Sequence, residues 1–166
     1  MAARIILLNG TSSAGKSALA AALRPLLPET FCYYASDQLA DARFRPPTEP
    51  ARWEGREAFF SGFHRSIAAF AEAGLDLLVE HIVEQASWAD RLRDLLHPFD
   101  TFWVGVHVPL DVLEQRERLR GDRALGEAQE HHRTHDHCVY GVEIENLGTP
   151  AMAATQVFQA WSLRHG

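Results

Sequence analysis

Cysteine is scarce. Cys32 and Cys138 are the only two, far apart in the chain, which excludes a disulfide-stapled scaffold and leaves free thiols in a reducing compartment as the expectation. Long apolar runs are missing as well. No stretch approaches the ~20 residues that a bilayer-spanning helix requires. The leading run Ile5-Ile6-Leu7-Leu8 is broken by Asn9 and Gly10, so no membrane span and no secretory leader are expected. Positive charge is in deficit: 16 Lys and Arg face 22 Asp and Glu, for a formal charge of −6 and a pI near 5.8. That balance argues against nucleic acid or an anionic membrane surface as the main partner. Internal repeats and low-complexity tracts are lacking too. What remains, 166 residues of which 46% are hydrophobic, fits one cytoplasmic domain spanning 1–166 with ample material for a core.

Against these absences stands one dense motif. Gly10-Thr11-Ser12-Ser13-Ala14-Gly15-Lys16-Ser17 has the form G-x-x-x-x-G-K-S and follows directly on the apolar run at residues 5–8. Buried strand, glycine loop, then helix is the context that turns this short pattern into a phosphate site. Glycines let the loop turn so that successive backbone N–H groups converge on one anion. The helix beginning near Lys16 aims its positive dipole end at the same point. In such a loop the lysine reaches the β- and γ-phosphates and the serine hydroxyl sits on Mg²⁺. A nucleoside triphosphate is therefore the expected ligand.

The remaining pattern alternates strands with helices. Residues 4–8 read as a buried parallel strand, residues 16 to about 27 as the first helix, with Pro25 disturbing its last turn. A second strand spans residues 31–35 and is closed by Ser36 and Asp37. Pro46, Pro47 and Pro50 mark an irregular stretch at 42–55. A helix over 56–73 follows, with Phe59, Phe63, Ile67 and Phe70 recurring on one face and Gly74 suited to its cap. Further strands are expected at 75–83, 101–108 and 142–144. Helices are expected around Trp88, Leu92 and Leu95, from Pro109 to about Arg120, and over 150–163. The predicted fold is α/β, three layers with a central, mainly parallel five-stranded sheet. A short lid falls at about 121–135 and an acceptor-side excursion at about 40–73. Ligands in such sheets bind beyond the carboxyl ends of the strands, the edge where the phosphate loop, Asp37 and Glu80 all fall.

Phosphoryl transfer asks mostly for positioning and charge. Asp37, ending the second strand, is placed to accept a proton from an alcohol and orient its oxygen, although aspartate there also caps a following helix. Glu80 ends the apolar run Leu77-Leu78-Val79 and is the candidate for a carboxylate on Mg²⁺ through water, beside Ser17. His81 next to it reads as a hydrogen-bonding residue. Arg116, Arg118, Arg120 and Arg123 cluster around Gly121-Asp122. Arginine's fork suits phosphate oxygens, and Arg120 and Arg123 are the expected lid cations, Arg116 sharing a face with Arg120. His131, His132, His135, His137 and Cys138 lack the spacing of a tetrahedral metal site and read as a polar lid segment. Trp53, Phe60 and His64, off the main helical face, are candidates for an apolar acceptor pocket.

The chain resembles the chloramphenicol phosphotransferase family of P-loop kinases. The likeness rests on Ile6-Leu7-Leu8-Asn9-Gly10 with Ser12-Ser13-Ala14-Gly15-Lys16-Ser17, on Asp37, on Trp103-Val104-Gly105-Val106, and on Arg116-Glu117 with Arg120-Gly121-Asp122-Arg123 and Gly126. His135, Tyr140, Val142 and Glu143 extend it. The resemblance implies ATP-dependent transfer of the γ-phosphoryl to a hydroxyl of a small molecule, in the namesake the primary alcohol of chloramphenicol. It also implies Asp37 as base, Lys16 on the phosphates, and the segment around Arg120 and Arg123 closing over the nucleotide. The chain departs from the family in carrying Glu80 where an aspartate is typical, and Gly141 and Glu145-Asn146 near the last strand. Residues between Trp53 and His64 differ from the namesake, so another acceptor (a nucleotide, sugar acid or shikimate-like metabolite) stays open. Arg43, Arg45, Arg52 and Arg56 would suit a nucleotide. A nucleotide-binding switch without turnover is the rival of a different class.

Overall fold

The structure is a computed structural model in which residues 2–44, 54–120, 126, 129 and 131–164 are described. Five strands form one sheet, β1 (Arg4–Asn9), β2 (Phe31–Ala35), β3 (Asp76–His81), β4 (Asp100–His107) and β5 (Val142–Glu145), in the order β2-β3-β1-β4-β5. Every pairing is parallel, a stricter arrangement than the mainly parallel sheet expected. Among the described residues six α-helices accompany them: α1 (Lys16–Leu23), α2 (Ser36–Asp41), α3 (Arg56–Glu72), α4 (Ala86–Leu96), α5 (Leu110–Arg120) and α6 (Pro150–Ser162).

The central strand explains the layering. Its side chains alternate between faces, and helices cover both, so Ile5 to Leu8 are all fully buried. Ile6 and Leu8 join Leu78 and Val104 in a core closed by Leu19 and Leu23 of α1 and Val157 and Trp161 of α6. Ile5 and Leu7 join Leu77 and Val79 in a second core closed by Phe63 and Ile67 of α3 and Trp88 and Leu92 of α4. The strand order reverses direction beside β1, which opens a crevice at the carboxyl ends of β1 and β3. No helix among the described residues is long and apolar enough to cross a membrane.

Local chemistry moves several boundaries from their expected places. The first helix ends at Leu23, and a 3-10 turn over Arg24–Leu26 carries Pro25, whose missing N–H fits that first turn better than a helix interior. The third strand is shorter than 75–83, because past His81 the Val83 N–H bonds the Asn9 side chain instead of a neighbouring strand, while Gly74 at φ 93° terminates α3 as expected in the left-handed conformation that glycine tolerates. Its buried stripe is Phe63, His64, Ile67, Ala68 and Ala71, not the series ending at Phe70. Phe70 is 42% exposed and meets the Tyr34 ring edge-on. Asp37 lies two residues past the end of β2, inside the short helix α2.

Candidate active site

The loop between β1 and α1 takes two left-handed residues to turn, Ser13 at φ 62° and Gly15 at φ 83°. A side chain would not fit at either glycine. A Cβ on Gly10 would stand 2.6 Å from the Val106 carbonyl oxygen, and one on Gly15 would stand 2.7 Å from Asn146 Nδ2. Side chains from the far end of the sheet brace the loop. Asn146 Nδ2 donates to the Ala14 carbonyl at 2.7 Å, and Arg116 donates to the Ser13 carbonyl at 3.4 Å and to the Asn146 carbonyl at 2.8 Å. Lys16, the only lysine in the sequence, is 6% exposed and folds back to donate to the carbonyls of Gly10 (3.0 Å) and Thr11 (2.8 Å). Thr11 Oγ1 and Ser13 Oγ are buried with no hydrogen-bond partner. Buried hydroxyls without partners are costly, and two of them facing the same loop as a lysine fit an anion such as a phosphate.

Next to this loop stands a chain of oxygens. Ser17 Oγ donates to Glu80 Oε1 at 2.9 Å, and the Tyr33 hydroxyl donates to Glu80 Oε2 at 2.5 Å. Glu80 is buried, one residue from the end of β3 and in register with Ala35 of β2. Burial, the hydrogen bond to Glu80, and the charges of Glu80 and Asp37 together hold the Tyr33 phenol far above its ordinary pKa. Asp37 therefore lies within electrostatic reach of the same hydroxyl, with its own side chain exposed at the sheet edge. Hydroxyl and carboxylate oxygens are the donor set that a hard divalent cation such as Mg²⁺ takes, so Ser17 and Glu80 fit that ion.

The side where the sequence places an acceptor pocket is built differently. His64 of α3 is fully buried, and its Nε2 meets His81 Nε2 at 2.8 Å. Arg91 Nη1 lies 3.4 Å from His64 Nδ1, and a guanidinium can only donate. The proton of His64 is thus assigned to Nε2, which donates to His81 and leaves His81 Nδ1 as a buried N–H without a partner. Burial and the nearby Arg91 hold His64 at a pKa of about 4, and burial drives His81 well below its usual value. Phe60 stacks 4.5 Å from Trp88, and the Arg56 guanidinium sits 4.9 Å from the Phe60 ring while pairing with Glu84. Burial opposes ionisation of Glu84, but His131 and Arg56 still hold its carboxyl below the ordinary range.

The sequence-predicted residues thus divide. The phosphate loop, Ser17, Glu80 and Asp37 are gathered at one edge. Phe60 is half-buried beside that edge. His64 departs from the pocket expected of it, because the α3 stripe turns it into the core with both ring nitrogens engaged. Arg120 ends α5 with its side chain outside the described residues, as are Arg123, Trp53 and most of the expected lid.

A family model described as chloramphenicol phosphotransferase-like protein matches residues 3–162. The chain belongs to this family. Its curated relatives include a Mycobacterium tuberculosis protein named "Putative O-phosphotransferase", 30% identical over 177 residues that cover 89% of this chain and 76% of that one. Among solved structures, the Mycobacterium tuberculosis APS kinase CysC in complex with AMPPNP and APS superposes with a TM-score of 0.73 at 17% identity. That match covers 96% of this chain and 98% of the other. Shikimate kinase from Acinetobacter baumannii in complex with shikimate gives 0.69 at 18% identity over 98% and 94%. At such identities the likeness is one of fold, that of the P-loop kinases.

Several residues that organise the site of this chloramphenicol phosphotransferase-like chain had no role assigned from the sequence. Asn9 ends β1 as a buried hub. Its Nδ2 donates to the Tyr140 hydroxyl at 2.7 Å, and its Oδ1 accepts from Val83 N at 2.9 Å and Thr134 Oγ1 at 3.0 Å. His135 Nδ1 meets the same Tyr140 hydroxyl at 2.8 Å and its ring stacks on His107 at 3.8 Å. Burial and the neighbouring His107 and Lys16 hold His135 at a pKa of about 4. These contacts dock the 3-10 segment His132–His137, the end of the expected lid, onto the sheet. Tyr33, Arg116 and Asn146 were missed as site residues for the same reason: their partners lie tens of residues away.

Proposed function

We propose that this chain is an ATP-dependent O-phosphotransferase that moves the γ-phosphoryl of ATP to a hydroxyl of a small molecule, a chloramphenicol-like alcohol foremost. Family membership supports phosphoryl transfer to an alcohol oxygen, and the braced loop with its two unpartnered hydroxyls supports a polyphosphate donor. The observation that carries the reading is convergence: Lys16, Ser17, Glu80 and, through Tyr33, Asp37 share one sheet edge.

In this reaction the alcohol oxygen forms a bond to the γ-phosphorus as the bond to the β–γ bridging oxygen breaks, and ADP departs. Asp37 orients the alcohol and takes its proton. Lys16 exchanges the Gly10 and Thr11 carbonyls for phosphate oxygens, with the loop amides fixed around them. Ser17 directly and Glu80 through water would hold Mg²⁺, which when bound neutralises charge on the phosphates. Arg120 and Arg123 are the proposed lid cations, and Phe60 and Trp53 the proposed acceptor contacts. A reducing cytoplasm, where ATP is plentiful, suits such an enzyme.

The test is incubation with Mg·ATP and a panel of hydroxyl compounds including chloramphenicol, with mass spectrometry for a product one phosphoryl group heavier. The Asp37→Asn variant should keep nucleotide affinity within about twofold and slow transfer by about 10²–10⁴-fold. Transfer at the normal rate in that variant removes Asp37 as base. Nucleotide binding with no product from any alcohol replaces the enzyme with a switch.

A further inference from the structure

We propose that Tyr33 is a positioning residue that locks Glu80 into the orientation in which its carboxylate can serve the metal site. The inference rests on the kinase reading above and assigns a residue that the phosphate-loop motif does not contain.

The geometry starts from the sheet. Tyr33 pairs in register with Leu78 and Ala35 with Glu80, so Tyr33 lies one pleat behind Glu80 on the same face. The diagonal between such positions is within reach of an aromatic side chain, and the phenol closes it at 2.5 Å from Oε2. The other oxygen, Oε1, accepts from Ser17 at 2.9 Å. A glutamate has three side-chain torsions, and a buried one without a fixed partner would sample several positions. With Oε2 held by Tyr33, only Oε1 and its orientation toward Ser17 remain defined. The Tyr33 ring is itself fixed, since it packs against the core formed with α1.

Tyr33→Phe removes one oxygen and keeps the ring. Metal affinity is read by titrating Mn²⁺ into the full chain with AMPPNP and counting bound ion by electron paramagnetic resonance, which needs no acceptor. The expected result is about tenfold weaker Mn²⁺ binding, with metal-free AMPPNP affinity (measured in EDTA) unchanged within twofold and the melting temperature retained. Glu80→Asp gives a second arm that leaves β2 untouched. An aspartate is too short to span Ser17 and Tyr33 together, so adding Tyr33→Phe to it should weaken the metal no further. Equal losses with and without metal, or additive losses in the double variant, overturn the role of Tyr33. A wild-type chain that binds AMPPNP and transfers phosphate but shows an unaltered metal curve on Tyr33→Phe sinks this inference alone. A wild-type chain that binds no nucleotide sinks the kinase reading and this inference with it.

Discussion

The two sides of the site are held together in contrasting ways. Within the loop itself the partners are main-chain carbonyls: Lys16 bonds those of Gly10 and Thr11, Arg116 that of Ser13, and Asn146 that of Ala14, while beside it Ser17 and Tyr33 bond the Glu80 carboxylate. On the acceptor side the bonds run between side chains: Glu57 accepts from Trp88 Nε1 at 2.7 Å, Arg91 pairs with Glu57, Arg56 with Glu84, and His64 with His81. A triphosphate is the same in every kinase, so a backbone cradle that depends little on side-chain identity suffices for it. An acceptor varies, and a wall of interlocked side chains can be changed without disturbing the loop. Under the proposed function, catalytic necessity falls on the loop and selectivity on the side-chain wall.

The largest way to break this comparison is Lys16→Ala. Removing a preorganised cation from developing phosphoryl charge should cost about 10³-fold in transfer. The loop, braced by Asn146 and Arg116, should stay folded, so the melting temperature should move little. Because Lys16 is the only lysine, an amine-directed reagent modifies it and the amino terminus alone. Protection of that residue by ATP, read by peptide mass spectrometry, reports nucleotide in the loop without any acceptor. Labelling unaffected by ATP would remove the phosphate site.

Gly10→Ala comes next. The new Cβ would meet the Val106 carbonyl oxygen at 2.6 Å and Val106 Cβ at 3.2 Å, and a strand carbonyl in the middle of the sheet cannot step aside. Urea unfolding should show a loss of about 1–3 kcal/mol, the range for overpacking. An unchanged midpoint would mean that the close approach of loop and β4 is not what Gly10 provides.

How much of this was legible follows the same division. The strand–loop–helix order and the motif at residues 10–17 reside in one contiguous stretch, so local pattern was enough to place the loop between β1 and α1. Asp37 and Glu80 were reachable because a strand in a parallel sheet has to end on the ligand side. Asn146 on Ala14, Tyr33 on Glu80 and Asn9 on Tyr140 join residues 132, 47 and 131 positions apart, and no local period records such partners. His64 shows the other failure. Its position off the main aromatic face made it a pocket candidate, yet Phe63, Ile67 and Ala71 carry it inward with Ala68, and His81 makes its burial tolerable.

The smallest effect sharpens the comparison by acid. His64 on the acceptor side and His135 on the lid side are each held at a pKa of about 4, by burial first. An unfolded histidine titrates near 6.5. Between those values the unfolded chain binds more protons than the folded one, so stability falls as pH drops. From pH 7 to pH 5 each such histidine should remove about 1–2 kcal/mol. Glu57, Glu84 and Asp76 have carboxyls held below their ordinary range, so their contribution is lost only at more acidic pH and leaves this window to the buried histidines, His81 among them. His64→Asn should flatten the slope of unfolding free energy against pH by about one histidine's share, and His135→Asn by another. A slope unmoved by His64→Asn would mean that the His64–His81 pair is solvated in solution, and that the acceptor wall lacks the dry, interlocked interior which sets it apart from the phosphate loop.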